Sequence, residues 1–134
     1  VWGLIKPELR ARIQKDIAEL KQFMEKTANP SYKTNIDWLI ANLEFTLLLD
    51  ETSRSIEPAL RLRDNWLKDK IDKQQWKQQF DEARQSFNKA PIELLFKTYM
   101  RRVRSRGELG ELSSLNQKLW LQYLDLKNFL EKVE

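Results

Sequence analysis

Apolar residues along this chain recur at steps of three and four, so the elements they predict are helices. Leu9, Ile13, Ile17, Leu20 and Met24 form the first stripe. Pro7 stands ahead of it, where the first turn of a helix needs no N–H. Asn29-Pro30 should end it, because the residue before a proline is pushed out of the helical region. Ser31 is the expected cap of the next helix.

That second helix is apolar around most of its circumference, through Ile36, Trp38, Leu39, Ile40, Leu43, Phe45, Leu47, Leu48 and Leu49. A helix of this kind is either central to a bundle or spans a membrane. Asp37, Asn42 and Glu44 interrupt it, and it falls short of the roughly 20 apolar residues a span needs. The expectation is a buried central helix and no membrane. Pro58 either kinks this helix or restarts it, with Leu60, Leu62, Trp66 and Leu67 carrying the period onward.

A charged connection, Lys68 to Lys73, leads to a second kind of stripe. Trp76, Phe80, Ala83 and Phe87 place aromatic rings on one helix face. Ala90-Pro91 breaks it, and Ile92, Leu95, Phe96, Tyr99 and Val103 resume the pattern. Leu109, Leu112, Asn116, Leu119, Tyr123, Leu126, Leu130 and Val133 then read as a heptad seam, with Asn116 as its polar, register-fixing member. The predicted fold is all-α, an antiparallel bundle of five or six helices, with residues 1–134 as a single domain. The chain opens on Val1 without Met and carries no signal-peptide pattern, so it is read as a piece excised from a larger protein.

Composition narrows the function. The 134 residues include no histidine and no cysteine. That removes the commonest general base, the commonest nucleophile and the usual zinc ligands. No metal or cofactor is expected, and no Gly-rich phosphate loop or nucleophile elbow is present. A two-carboxylate hydrolase needs no histidine. Asp37 and Glu44 sit seven residues apart on one helix face, roughly 10 Å along its axis. The favoured reading of that pair is structural: Asp37 near a helix start and Glu44 paired with an arginine.

The formal net charge is +4, and Arg101, Arg102, Arg104 and Arg106 alone equal it. They form one knot at a helix end, where cations complement the dipole, rather than a stripe along a whole face. Nucleic acid is therefore not the expected partner, and polyanion binding through Arg101–Arg106 ranks third among the functional readings. Gly107, Gly110 and Ser113 form a small-residue strip that reads as a turn followed by close helix packing.

The five tryptophans carry the leading reading. Trp38 and Trp76 fall on core stripes, and Trp2 precedes the first helix. Trp66, beside Arg63 and Asp64, and Trp120, near Gln117, are the candidates for a solvent-facing surface. A half-exposed indole among hydrogen-bonding groups suits stacking on a sugar, and equally suits a protein interface. The ligand-binding candidates are thus Trp66, Arg63, Asp64, Trp120 and Gln117.

The stretch Arg102-Val103-Arg104-Ser105-Arg106-Gly107-Glu108-Leu109-Gly110-Glu111-Leu112, with Asn116-Gln117-Lys118-Leu119-Trp120 after it, resembles helical segments beside the catalytic domains of large bacterial glycoside hydrolases. The resemblance covers a short part of the chain and carries over no catalytic residue. It implies an accessory helical domain, non-catalytic and carbohydrate-binding, in an extracellular or periplasmic enzyme. The alternative is a protein-interaction or interdomain scaffold, with neighbouring domains of the same chain as partners.

Overall fold

The computed structural model describes residues 4–68, 75–103 and 119–132. Among them, helices α1 (Pro7–Lys26), α2 (Pro30–Leu67), α3 (Trp76–Asn88), α4 (Ile92–Arg102) and α5 (Leu121–Lys132) account for nearly all the backbone, and no strand occurs. The all-α class stands. Pro58 does not divide α2, which runs unbroken through it. No helix among the described residues is long and apolar enough to cross a membrane.

The chain divides into two compact units. The first takes residues 1–52 and 91–104. Its core gathers Ile13 and Ile17 of α1 with Ile36 and Ile40 of α2, flanked by Ile5, Leu20, Met24, Leu43 and Leu47. The expected α1 stripe is therefore present except at its start, where Leu9 is 48% exposed. Fully burying an isoleucine contributes roughly 1.5–3 kcal/mol, so these four residues are the main glue of α1 on α2. The α2 helix is less buried than expected of a central helix: Ile36, Ile40 and Ala41 are buried, but Leu39 is exposed and Trp38 only partly covered. The α2 cap also differs from expectation. Asn29, not Ser31, accepts the backbone N–H groups of Ser31 (2.9 Å) and Tyr32 (3.3 Å) through its side-chain oxygen. Pro30 then occupies the first helical position, which suits a residue without an N–H.

The second unit takes residues 53–90 and 105–134. Its core is built by Ile56, Ala59 and Leu62 of α2, Phe80, Ala83 and Phe87 of α3, and Leu126 and Leu130 of α5, joined by Leu119. The α3 stripe is buried as its spacing predicts from Phe80 onward, whereas Trp76 at its start is only partly covered. The α2 helix continues through Pro58. A proline inside a helix removes one hydrogen bond and crowds the preceding turn. In that turn the Ser55 carbonyl accepts a 2.8 Å hydrogen bond from the Ser86 hydroxyl of α3. Ser86→Ala should therefore lower stability by about 1 kcal/mol, the usual net worth of one such bond, in a urea titration. An unchanged midpoint would mean that water replaces the hydroxyl at no loss.

Candidate functional site

The side chains singled out from sequence fall into three places. The first is the carboxylate pair of α2. Asp37 and Glu44 do share a face, and Arg101 of α4 bridges them, donating to Asp37 Oδ1 at 3.0 Å and to Glu44 Oε2 at 3.1 Å. Lys21 of α1 adds a contact to Glu44 at 3.5 Å. Burial alone would lower the Arg101 pKa. The hydrogen bond and charge of Asp37, with those of Glu44, outweigh that and hold it above the ordinary arginine value. Two carboxylates tied to one guanidinium form an ion-pair network, not an acid and a base with opposed environments. Among the described residues no group of three acidic side chains is placed to hold a metal ion.

The second place is the basic knot. Arg102 lies between two rings, its guanidinium carbon 4.9 Å from the Phe45 centroid and 4.8 Å from that of Tyr99. Its Nε–H donates to Asn42 Oδ1 at 2.9 Å, and its backbone carbonyl accepts the Trp38 indole N–H at 2.9 Å. Asn42 in turn donates to the Trp38 carbonyl at 2.8 Å. Arg101 and Arg102 are thus engaged in fastening α4 to α2. Arg104 and Arg106 lie outside the described residues, as do Asn116, the strip from Gly107 to Ser113, and Trp2.

The third place is the end of the α2–α3 hairpin in the second unit. Trp66 is 42% exposed. It meets Trp76 edge-on, with centroids 6.5 Å apart at 62°, and meets Phe80 at 5.5 Å and 87°. Trp76 meets Phe80 at 5.7 Å and 82°. Edge-to-face packing of this kind is favourable for aromatic rings, and it fixes the Trp66 indole while leaving part of it to solvent. Arg63 is half-buried and Asp64 exposed, one turn or less from Trp66 on the same helix. Alongside runs an open groove between α2 and α3, lined by Pro58, Arg61, Leu62 and Asn65 on one side and by Gln79, Glu82 and Ala83 on the other. Leu62 is one turn before Trp66, and Gln79 one turn after Trp76, so the groove leads toward the tryptophan pair.

Trp120 is placed differently. It is partly covered and stacks on Tyr123 at 5.5 Å and 16°, and Tyr123 stacks on Phe87 at 4.6 Å and 14°. One indole face is therefore given to Tyr123. Its proposed companion Gln117 lies outside the described residues. The rings behind the two candidate tryptophans, Phe80 and Phe87, are seven residues apart on α3, about 10 Å, so the structure does not gather Trp66 and Trp120 into one cluster.

Three residues beside Trp66 escaped the reading of the sequence. The spacing of the α3 stripe assigns Trp76 to the core, yet it flanks Trp66. Asn65 and Gln79 line the groove, and among the described residues neither side chain makes a hydrogen bond. Position at the start of an aromatic stripe, next to a charged connection, was the available signal for Trp76. Nothing in the sequence marked the two amides. No family model, curated protein or solved structure matches this chain.

Proposed function

We propose that this chain is a non-catalytic binding module whose ligand is carbohydrate and whose stacking surface is Trp66. The observation that carries the reading is the exposed indole of Trp66, fixed edge-on by Trp76 and Phe80 beside a groove of hydrogen-bonding side chains. Sugar rings offer an apolar face to an aromatic ring and hydroxyls to amides and carboxylates, and a pre-fixed indole loses little entropy on binding. Arg63 and Asp64 serve as edge groups, and Trp120 with Gln117 forms a secondary site. In this reading residues 1–134 are one antiparallel helical domain of a larger bacterial glycoside hydrolase, working outside the cytoplasm.

A polysaccharide panel read by affinity electrophoresis tests the proposal. Retardation by at least one soluble glycan is expected. Trp66→Ala should weaken it by on the order of 1–3 kcal/mol, as for other aromatic stacking platforms, and Trp120→Ala by less. Absence of retardation by every glycan would overturn the reading. Retardation unchanged in both variants would keep the ligand and discard these sites.

The second reading is a protein-interaction or interdomain scaffold. Leu67, next to Trp66, is 75% exposed, and an indole beside an exposed leucine is also a composition of interface anchors. Polyanion binding through the arginine knot comes last, because Arg101 and Arg102 are committed to Asp37, Glu44, Asn42 and the rings of Phe45 and Tyr99.

A further inference from the structure

We infer that two copies of this chain pair through the exposed side of the α1–α2 hairpin in the first unit. The inference stands apart from the carbohydrate reading, which concerns the second unit. The first argument is placement. At about 100° per residue, Leu9, Asp16 and Phe23 of α1 lie roughly 40–80° to one side of Ile13, and Lys21 lies roughly 80° to the other. On α2, Tyr32 and Leu39 lie roughly 40–60° to one side of Ile36, and Asp37 and Glu44 lie roughly 80–100° to the other. Lys21 meets Glu44 at 3.5 Å, and Arg101 of α4 holds both Asp37 and Glu44. These residues mark the side of the hairpin that α4 occupies. Leu9, Phe23, Tyr32 and Leu39 therefore share the opposite side, where each is 44–59% exposed.

The second argument is spacing. Leu9, Asp16 and Phe23 are seven residues apart, as are Tyr32 and Leu39. A seven-residue repeat is the pattern of a helix that packs lengthwise on another helix. The core stripe of α1, through Ile13 and Ile17, is already used against α2. The repeat at Leu9, Asp16 and Phe23 is a second seam, beside the first.

The third argument selects a second copy as the occupant. With roughly 200 Å² for a whole large side chain and half of it exposed, the four residues offer about 400 Å² of apolar surface. A stable pair of proteins covers about 800 Å² on each partner, of which a little over half, about 450 Å², is apolar. The face supplies what one side of a dimer needs. Its charges also fit a copy of themselves. A two-fold axis crossing α1 at Asp16 lays the helix antiparallel on its copy, so each residue meets one equally far on the other side of that position. Leu9 then faces Phe23 of the partner subunit. Arg12, which is exposed, comes opposite Glu19 of the partner subunit, and the contact of Glu19 with Lys15 on its own helix is a long 4.0 Å. The connection between α1 and α2 is centred on residue 28, so Asp16 stands level with Ile40, and its neighbour Leu39 lies beside the same axis. Asp16 meets its own copy there, as a polar member of the seam that fixes register at a cost in affinity.

The test is sedimentation equilibrium of the 134-residue chain, whose monomer mass is 16.1 kDa. A rise toward twice that mass with increasing concentration is expected. Phe23→Glu with Leu39→Glu should weaken association about tenfold or more, while circular dichroism shows the helical signal of the parent. Asp16→Asn removes the like charges that face each other and should tighten association. The chain has no cysteine, so Leu39→Cys treated with diamide should give a disulfide-linked dimer. Leu94→Cys, exposed on α4, should not. A chain that stays monomeric at every concentration would overturn the inference and leave this face to a partner of different sequence. So would association undiminished in the double variant, association no tighter in Asp16→Asn, or equal crosslinking through Leu39→Cys and Leu94→Cys. None of these results bears on glycan retardation through Trp66.

Discussion

Phe80→Ala is expected to lower the stability of the second unit by 3–5 kcal/mol, the range for emptying a buried phenylalanine site. Phe80 is 1% exposed. Its ring receives Trp66 and Trp76 edge-on, lies tilted on Phe129 at 5.6 Å and 35°, and carries the Arg84 guanidinium 5.8 Å from its centroid. Arg84 also donates to the Leu130 carbonyl of α5 at 2.7 and 3.1 Å, so the same residue ties the ring cluster to the end of that helix. Losing the ring removes both packing and the backing of Trp66. Urea unfolding measures the first effect. Glycan retardation of the folded fraction measures the second, and it should fall together with stability. A loss under 1 kcal/mol would mean that the neighbouring rings collapse into the space.

Asp50→Ala should be comparably damaging in the first unit, by 3–5 kcal/mol, with the lower end favoured because the partner guanidinium keeps some solvent. The Asp50 side chain is 2% exposed and that of Arg10 is 23% exposed. Asp50 accepts the Ile5 N–H at 2.9 Å through one oxygen and pairs with Arg10 through the other. Arg10 has a second, longer contact to Glu51 at 3.4 Å. Removing the carboxylate strips a half-buried cation and a backbone N–H of their common acceptor. Replacing both partners by apolar residues, Arg10→Met with Asp50→Leu, should cost less than Asp50→Ala alone, because no uncompensated charge then remains. Thermal melts of the three variants measure the order. A double variant worse than the single would contradict this account of the pair.

Local pattern and tertiary context contributed unequally to what could be read from the chain. The α1 stripe, the α3 stripe and the break at Ala90-Pro91 depend on spacing and proline sterics within a few residues, and the structure has them. Passage of α2 through Pro58 is open from sequence, because a proline at this place can kink a helix or restart it, and the structure has the helix continue. The half-exposure of Trp76 is a matter of tertiary context: its spacing assigns it to a core face, but the stripe reaches the end of the packed region before it is covered. Asn is a preferred capping residue, but Asn29-Pro30 carries two local signals at once, a stop for α1 and a start for α2, and the structure uses both. At the candidate site, Trp66 could be named because an indole next to charges stands out. Its groove could not, because Asn65 and Gln79 are ordinary polar residues until α2 and α3 pack side by side.

The most direct measurement of the central claim, that the Trp66 indole touches the glycan, is an NMR titration of the tryptophan indole N–H signals. The chain has five tryptophans, and the Trp66 signal is identified by its loss in Trp66→Phe. On adding the glycan that retards the protein, the Trp66 signal should shift most and saturate with the affinity seen in electrophoresis. The Trp38 signal, whose N–H is already held by the Arg102 carbonyl, should stay in place. A saturating titration in which the Trp66 signal does not move would contradict the account.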